Sequence, residues 1–134
     1  MREPSPLVLS LTAAAVAVAA ALVGATLAGA QEGTSSADPA RVEAGEALYA
    51  ENCQPCHGDK GKGDGPAARF LDGKPHDLSS GQWEHAEGGT PEAIARVIAG
   101  GIDGTEMEPF DEILTEQEIR DVALYVFEVI APKR

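Results

Sequence analysis

Apolar positions follow two kinds of pattern along this chain. From Leu7 to Ala30 they run almost unbroken (LVLSLTAAAVAVAAALVGATLAGA), separated only by Ser, Thr and Gly and free of ionisable groups. Such a stretch belongs in a membrane or a translocon. Further on, apolar positions recur at helical intervals. Val42, Gly45, Leu48 and Tyr49 share one side of a segment that opens with Asp38 as N-cap and Pro39 in the first turn, and that runs to about Asn52. Thr90-Pro91-Glu92 opens a second helix carrying Ile94, Val97 and Ile98, stopped by Gly100-Gly101. The last helix has the clearest start. Thr115 and Glu118 form a T-x-x-E capping box ahead of a stripe through Ile119, Val122, Ala123, Val126, Val129 and Ile130, and Pro132 ends it. There is no strand alternation and no internal repeat, so the expected fold is all-α with much loop.

Between Cys53 and Pro75 glycine and proline recur too often for a long element, which predicts a loop with one short helical piece near Pro66 to Leu71. Residues 31–37 (QEGTSSA) read as a polar, flexible linker. The chain thus divides into an export segment at 1–30, the linker at 31–37 and one domain at 38–134. Ala28-Gly29-Ala30 matches the small-residue pattern of signal cleavage. The apolar run, however, exceeds the roughly 7–15 residues of a signal peptide's core and is long enough to span a bilayer, so a retained N-terminal anchor is the alternative. Either way residues 31 onward lie outside the cytoplasm: in the periplasm or on the outer face of the membrane.

Charge narrows the partners. The 134-residue chain has a formal charge of −12, and because Arg2 and Glu3 cancel, all of it falls on the exported part. Such a field repels nucleic acid and anionic lipid and favours encounter with a protein that has a basic docking surface, although it serves solubility equally well. Membrane contact is then expected only through residues 7–30, if uncleaved. Oligomeric state cannot be read from the sequence.

Cys53-Gln54-Pro55-Cys56-His57 is the C-x-x-C-H pattern of covalent haem attachment. Two thiols at this spacing can each add to a haem vinyl group, and the next residue offers an imidazole to the iron. A thioredoxin-type pair would need a βαβ setting, a structural zinc site a second ligand cluster, and a plain disulfide would leave His57 without a role. None suits this sequence. Iron then needs a sixth ligand or keeps an open site. With Met1 set aside, Met107 is the only thioether, and it lies in the polar, Gly- and Pro-bounded segment Gly104 to Phe110 between two predicted helices. His76 and His85 are the rival ligands.

Three further features bear on the same chemistry. Gly58 to Pro66 is rich in glycine but lacks the Lys-Ser/Thr of a phosphate loop and the acidic spacing of a calcium loop, so it is expected to wrap close to a flat cofactor. Trp83, the only tryptophan, could give its indole N–H to a haem propionate or to a backbone carbonyl. A domain of about a hundred residues with three modest helices also gains from a staple, which a buried porphyrin would provide.

Taken in order, Gly45-Glu46-Ala47-Leu48-Tyr49, Cys53 to Gly58, Gly63-Asp64-Gly65-Pro66, Lys74 to Leu78, Gly100-Gly101-Ile102, Gly104-Thr105 with Met107, and Leu124-Tyr125-Val126 make the chain resemble the bacterial monohaem cytochrome c family over roughly residues 40–131. The resemblance implies a small cytochrome c fold: three main helices and loops around one covalent haem c, with the first and last helices in tight contact at Gly45 and Tyr125. It implies cofactor contacts at Cys53, Cys56, His57, Met107 and Pro75, with iron held by His57 and Met107 and the Pro75 carbonyl orienting His57; Trp83 joins them as a candidate on its indole N–H alone. One departure stands out: Glu108 separates Met107 from Pro109, where the family commonly has proline directly after the methionine.

The implied function is one-electron transfer in an extracytoplasmic respiratory or dehydrogenase-linked chain, with redox proteins as partners and no catalytic residue of its own. The alternatives are a haem subunit fixed in a larger membrane oxidoreductase, and a catalytic or sensing haem with an open sixth position.

Overall fold

The computed structural model describes residues 38–132. The expected export segment at 1–30 and the expected linker at 31–37 fall outside the described residues, and so does the choice between cleavage and anchor.

Three main helices and one short one appear, and the three main ones begin at the residues that the sequence marked. Helix α1 spans Pro39–Asn52, with the Asp38 carboxylate accepting the amide of Ala40 at 3.0 Å and proline in the first turn. Helix α2, Gln54–His57, follows at once. Helix α3, Pro91–Gly100, is capped by the Thr90 hydroxyl, which accepts the Ala93 amide at 3.2 Å. Helix α4, Glu116–Tyr125, opens with the reciprocal box: the Thr115 amide donates to the Glu118 carboxylate at 2.7 Å, and the Glu118 amide to the Thr115 hydroxyl at 3.3 Å. Single 3₁₀ turns at Ala68–Phe70, Leu78–Ser80 and Glu87–Gly89 punctuate the loops, and no strand occurs among the described residues.

The last helix departs from expectation at its end. It continues as a π turn over Val126–Ile130, closed by the Ala131 amide donating to the Val126 carbonyl at 2.8 Å. A π turn holds more residues than an α turn, so positions three and four apart no longer stack. Val129 therefore leaves the buried stripe and is 53% exposed.

Helix α1 crosses α4 at Gly45. A Cβ on this glycine would stand 2.0 Å from the Asp121 carbonyl oxygen and 2.9 Å from Tyr125 Cβ. The absent side chain lets two backbones approach, as the resemblance implied. Tyr49 and Tyr125 meet beside it with ring centroids 5.4 Å apart. A buried carboxylate, Asp121, completes the crossing by accepting from Arg41 at 2.6 Å and Gln117 at 2.8 Å. Two donors offset much of its desolvation cost. Ile94 and Ile98 of α3 join Ile119, Val122 and Ala123 of α4 in the same buried cluster.

Candidate functional site

Gln54 to His57 of the C-x-x-C-H motif fold as helix α2, with Cys53 as its N-cap, and not as the expected loop. The Cys53 carbonyl accepts the amides of Cys56 and His57 at 3.2 and 2.9 Å, and the Gln54 carbonyl accepts that of Gly58 at 2.8 Å. What the four-residue helix lacks in length is made up from outside it. The amides of Gly63, Gly65 and Ala67 donate to the carbonyls of His57, Cys56 and Pro55 at 2.8, 3.1 and 2.8 Å. The buried Tyr49 hydroxyl donates to the Gly58 carbonyl at 2.8 Å.

The glycine run thus serves another purpose than the one expected of it. It lies on the back of α2, and no residue from 58 to 66 borders the cavity described next. A Cβ on Gly65 would stand 2.3 Å from the Pro55 carbonyl oxygen, and one on Gly63 would stand 2.1 Å from that of Pro75. The glycines let chain lie on chain.

In front of α2 is a cavity of about 790 Å³, a size suited to a cofactor. It brings together all six residues singled out in the sequence: Cys53, Cys56, His57, Pro75, Trp83 and Met107. Its remaining wall is largely apolar, with Leu78, Ile94, Val97, Ile98, Phe110 and Val122. No disulfide joins the two cysteines, so both sulfurs face the cavity unpaired with each other, and burial, reinforced by Cys56, raises the pKa of the Cys53 thiol.

Burial lowers the pKa of His57, which keeps its ring neutral and able to ligate. Nδ1 lies 3.3 Å from a backbone carbonyl, a contact that places the proton there and leaves the Nε2 lone pair free. That carbonyl belongs to His76 and not, as the resemblance suggested, to Pro75. The Pro75 carbonyl faces the Gly63 backbone instead, so the next carbonyl along meets the imidazole. His76 itself is tied through Nε2 to the Gln82 carbonyl, whereas His85 borders the cavity from its exposed rim. Trp83 is half-buried, stacked on Gly89 so closely that a Cβ there would stand 2.2 Å from the indole.

Met107 comes from the loop between α3 and α4. Gly101, at φ +66, turns the chain so that a Cβ would stand 2.6 Å from the Met107 carbonyl oxygen. The methionine backbone is held on both sides. Its amide donates to the Thr105 hydroxyl at 3.1 Å, and its carbonyl accepts from Ile102 at 2.9 Å. Its neighbour Glu106 accepts the amide of Asp72 at 2.9 Å, a link between two loops that nothing in the sequence pattern signals. Glu108, the departure from the family pattern, is exposed and borders the same cavity. Among the described lining residues Asp72, Glu84, Glu106 and Glu108 are acidic, and Lys74 is the only lysine or arginine. No helix among the described residues is long and apolar enough to cross a membrane.

Comparison with known proteins gives the family. Residues 40–126 match the family model described as cytochrome C oxidase, cbb3-type, subunit III. The cbb3-type cytochrome c oxidase subunit CcoP of Rubrivivax gelatinosus is 35% identical over 89 residues, which cover 66% of this chain and 26% of that protein. The corresponding subunit FixP of Sinorhizobium medicae is 32% identical over 93 residues, 29% of its length. The chain therefore spans only about a quarter of the curated relatives that it matches. Among solved structures, cytochrome c6 of the diatom Phaeodactylum tricornutum aligns with a TM-score of 0.53 and 26% identity, over 66% of this chain and 93% of that one. Cytochrome cL of Methylophaga aminisulfidivorans aligns with a TM-score of 0.55 and 25% identity, over 68% and 56%.

Proposed function

The chain belongs to the cbb3-type subunit III family of bacterial c-type cytochromes, and from that premise we propose that its domain is a one-electron carrier. It holds one haem c, joined through Cys53 and Cys56 and ligated by His57 and Met107. The observation that carries this reading is the cavity itself: two thiols, a neutral imidazole with an oriented Nδ1 and a thioether from a separate loop border one apolar space. These donors fit the group.

When bound, the haem supplies a reversible one-electron iron couple. The protein's part is to hold and tune it. Cys53 and Cys56 fix the ring through two bonds from one short helix. The His76 carbonyl keeps the His57 proton on Nδ1, while Met107 offers a soft, neutral donor that favours the reduced ion. Ile94, Ile98 and Val122 exclude water, and Trp83 offers its N–H to a propionate.

The carrier works outside the cytoplasm. The curated relatives are named as oxidase subunits, which favours a place in a respiratory oxidoreductase complex over a free shuttle. Its partner presents a basic surface to the acidic mouth formed by Asp72, Glu84, Glu106 and Glu108. A closed iron of this kind transfers electrons and has no substrate pocket of its own.

The test is the mass and spectrum of the protein purified from a host that matures c-type cytochromes. One haem's mass should persist through denaturation and be lost in Cys53→Ala/Cys56→Ala. Native mass measurement then separates a lone carrier from a complex subunit. Ready carbon monoxide binding by the reduced parent protein would refute a closed sixth position.

A further inference from the structure

The loop that bears Met107 is anchored in two ways. Its own turn is closed locally: Thr105 donates to the Ile102 carbonyl at 2.8 Å, Met107 donates to Thr105 and Ile102 to Met107. These bonds shape the turn, yet they connect it only to residues within five positions. They do not tie it to the other side of the cavity.

One bond does. The Glu106 carboxylate accepts the amide of Asp72, thirty-four residues earlier, in the loop that follows the Ala68–Phe70 turn. Asp72 and Glu106 both border the cavity, and both are exposed. An exposed acid in a solvated loop is not needed for the core. A charge-assisted bond to a backbone amide is nonetheless worth more than a neutral one, and it fixes a distance between two loops that have no secondary structure to fix it. Where the methionine is displaced by movement of the 104–108 segment away from the cavity, that movement stretches this link.

We propose that Glu106 is a positioning residue: by holding the Asp72 amide it clamps the methionine loop shut over the cavity and sets how readily the Met107 sulfur leaves the iron. The inference rests on Met107 as the axial ligand. The bond, and not the negative charge, is the active element.

Imidazole titration of the ferric holoprotein tests this, with parent, Glu106→Ala and Glu106→Gln compared. Imidazole binds only when the sulfur has left, so its apparent affinity reports loop opening. The far-red band of thioether-to-ferric-iron charge transfer reports ligation directly. Loss of one charge-assisted bond predicts a rise in imidazole affinity of roughly tenfold in Glu106→Ala. Glu106→Gln keeps an amide oxygen for the Asp72 N–H and should stay within about threefold of the parent, with all three proteins showing the far-red band. Equal affinities in all three overturn the clamp while leaving Met107 in place. Glu106→Gln behaving like Glu106→Ala also overturns it, since charge alone would then account for the change. A parent protein without the far-red band removes the ligand reading and the clamp together.

Discussion

The backbone carbonyl of Asp121 lies where a side chain on Gly45 would begin: a Cβ at position 45 would stand 2.0 Å from that oxygen. No rotamer relieves such a contact, because both partners are backbone or one bond from it. Tyr49, Tyr125, Arg41 and the Asp121 carboxylate all pack around this crossing, so its separation governs the rest of the core.

Gly45→Ala should therefore destabilise the holoprotein by about 3 kcal/mol or more, the upper part of the range for overpacking, despite alanine's better helix propensity. Urea unfolding followed by helical circular dichroism gives the number. A change within about 0.5 kcal/mol would mean that the two helices part at little cost.

Met107→Ala should remove the far-red band and lower the midpoint potential by on the order of 0.1 V, and it should let the reduced form bind carbon monoxide. If spectrum and potential both stay as in the parent, another group ligates the iron. His85, at the cavity rim, would be the next variant to make.

Glu108 borders the cavity, and its negative charge favours the ferric ion. Glu108→Gln should raise the midpoint potential by on the order of 10–30 mV at low salt, and by less as salt screens the charge. Redox titration at two ionic strengths decides this, and an unchanged potential would refute it.

Glu118 provides the pH prediction. The Thr115 amide and then its hydroxyl hold this carboxyl below its usual value of 4.5. The folded state thus binds its proton less readily than the unfolded chain does. The contribution is full above about pH 4.5 and fades as pH falls through the lower folded value. Glu118→Gln should lose less thermal stability than the parent between about pH 4.5 and pH 3, because glutamine can still close the box but does not titrate. Parallel slopes of melting temperature against pH would contradict it.

Much of this was legible in residue order because it depended on local chemistry. Asp38 ahead of Pro39, Thr90 ahead of Pro91 and the Thr115/Glu118 box each satisfy orphan amides at a helix start, and the three main helices begin there. The six candidate site residues meet in one cavity: motif spacing marks Cys53, Cys56 and His57, scarcity Trp83, scarcity with loop placement and resemblance Met107, and resemblance alone Pro75. What escaped the reading depends on partners far along the chain. Helix α2 is concealed by Pro55 and the glycines around it, since bonds from Gly63, Gly65 and Ala67 support it from outside. Asp121 reads as one more surface acid on a polar helix face, and Arg41, eighty positions earlier, joins the nearby Gln117 in making its burial tolerable. The π turn that turns Val129 outward leaves no mark on hydrophobic spacing at all.

The grip of α1 on α4 also has a mechanical side. The first helix of the domain and the last one hold each other through Arg41 and Asp121 and through the bare backbone at Gly45, whereas the cavity is walled mainly by what lies between them in the chain. A pull applied to the polypeptide before Pro39 is carried into that crossing first. The loop that bears Met107 is thereby kept at one remove from a load that enters the domain through helix α1.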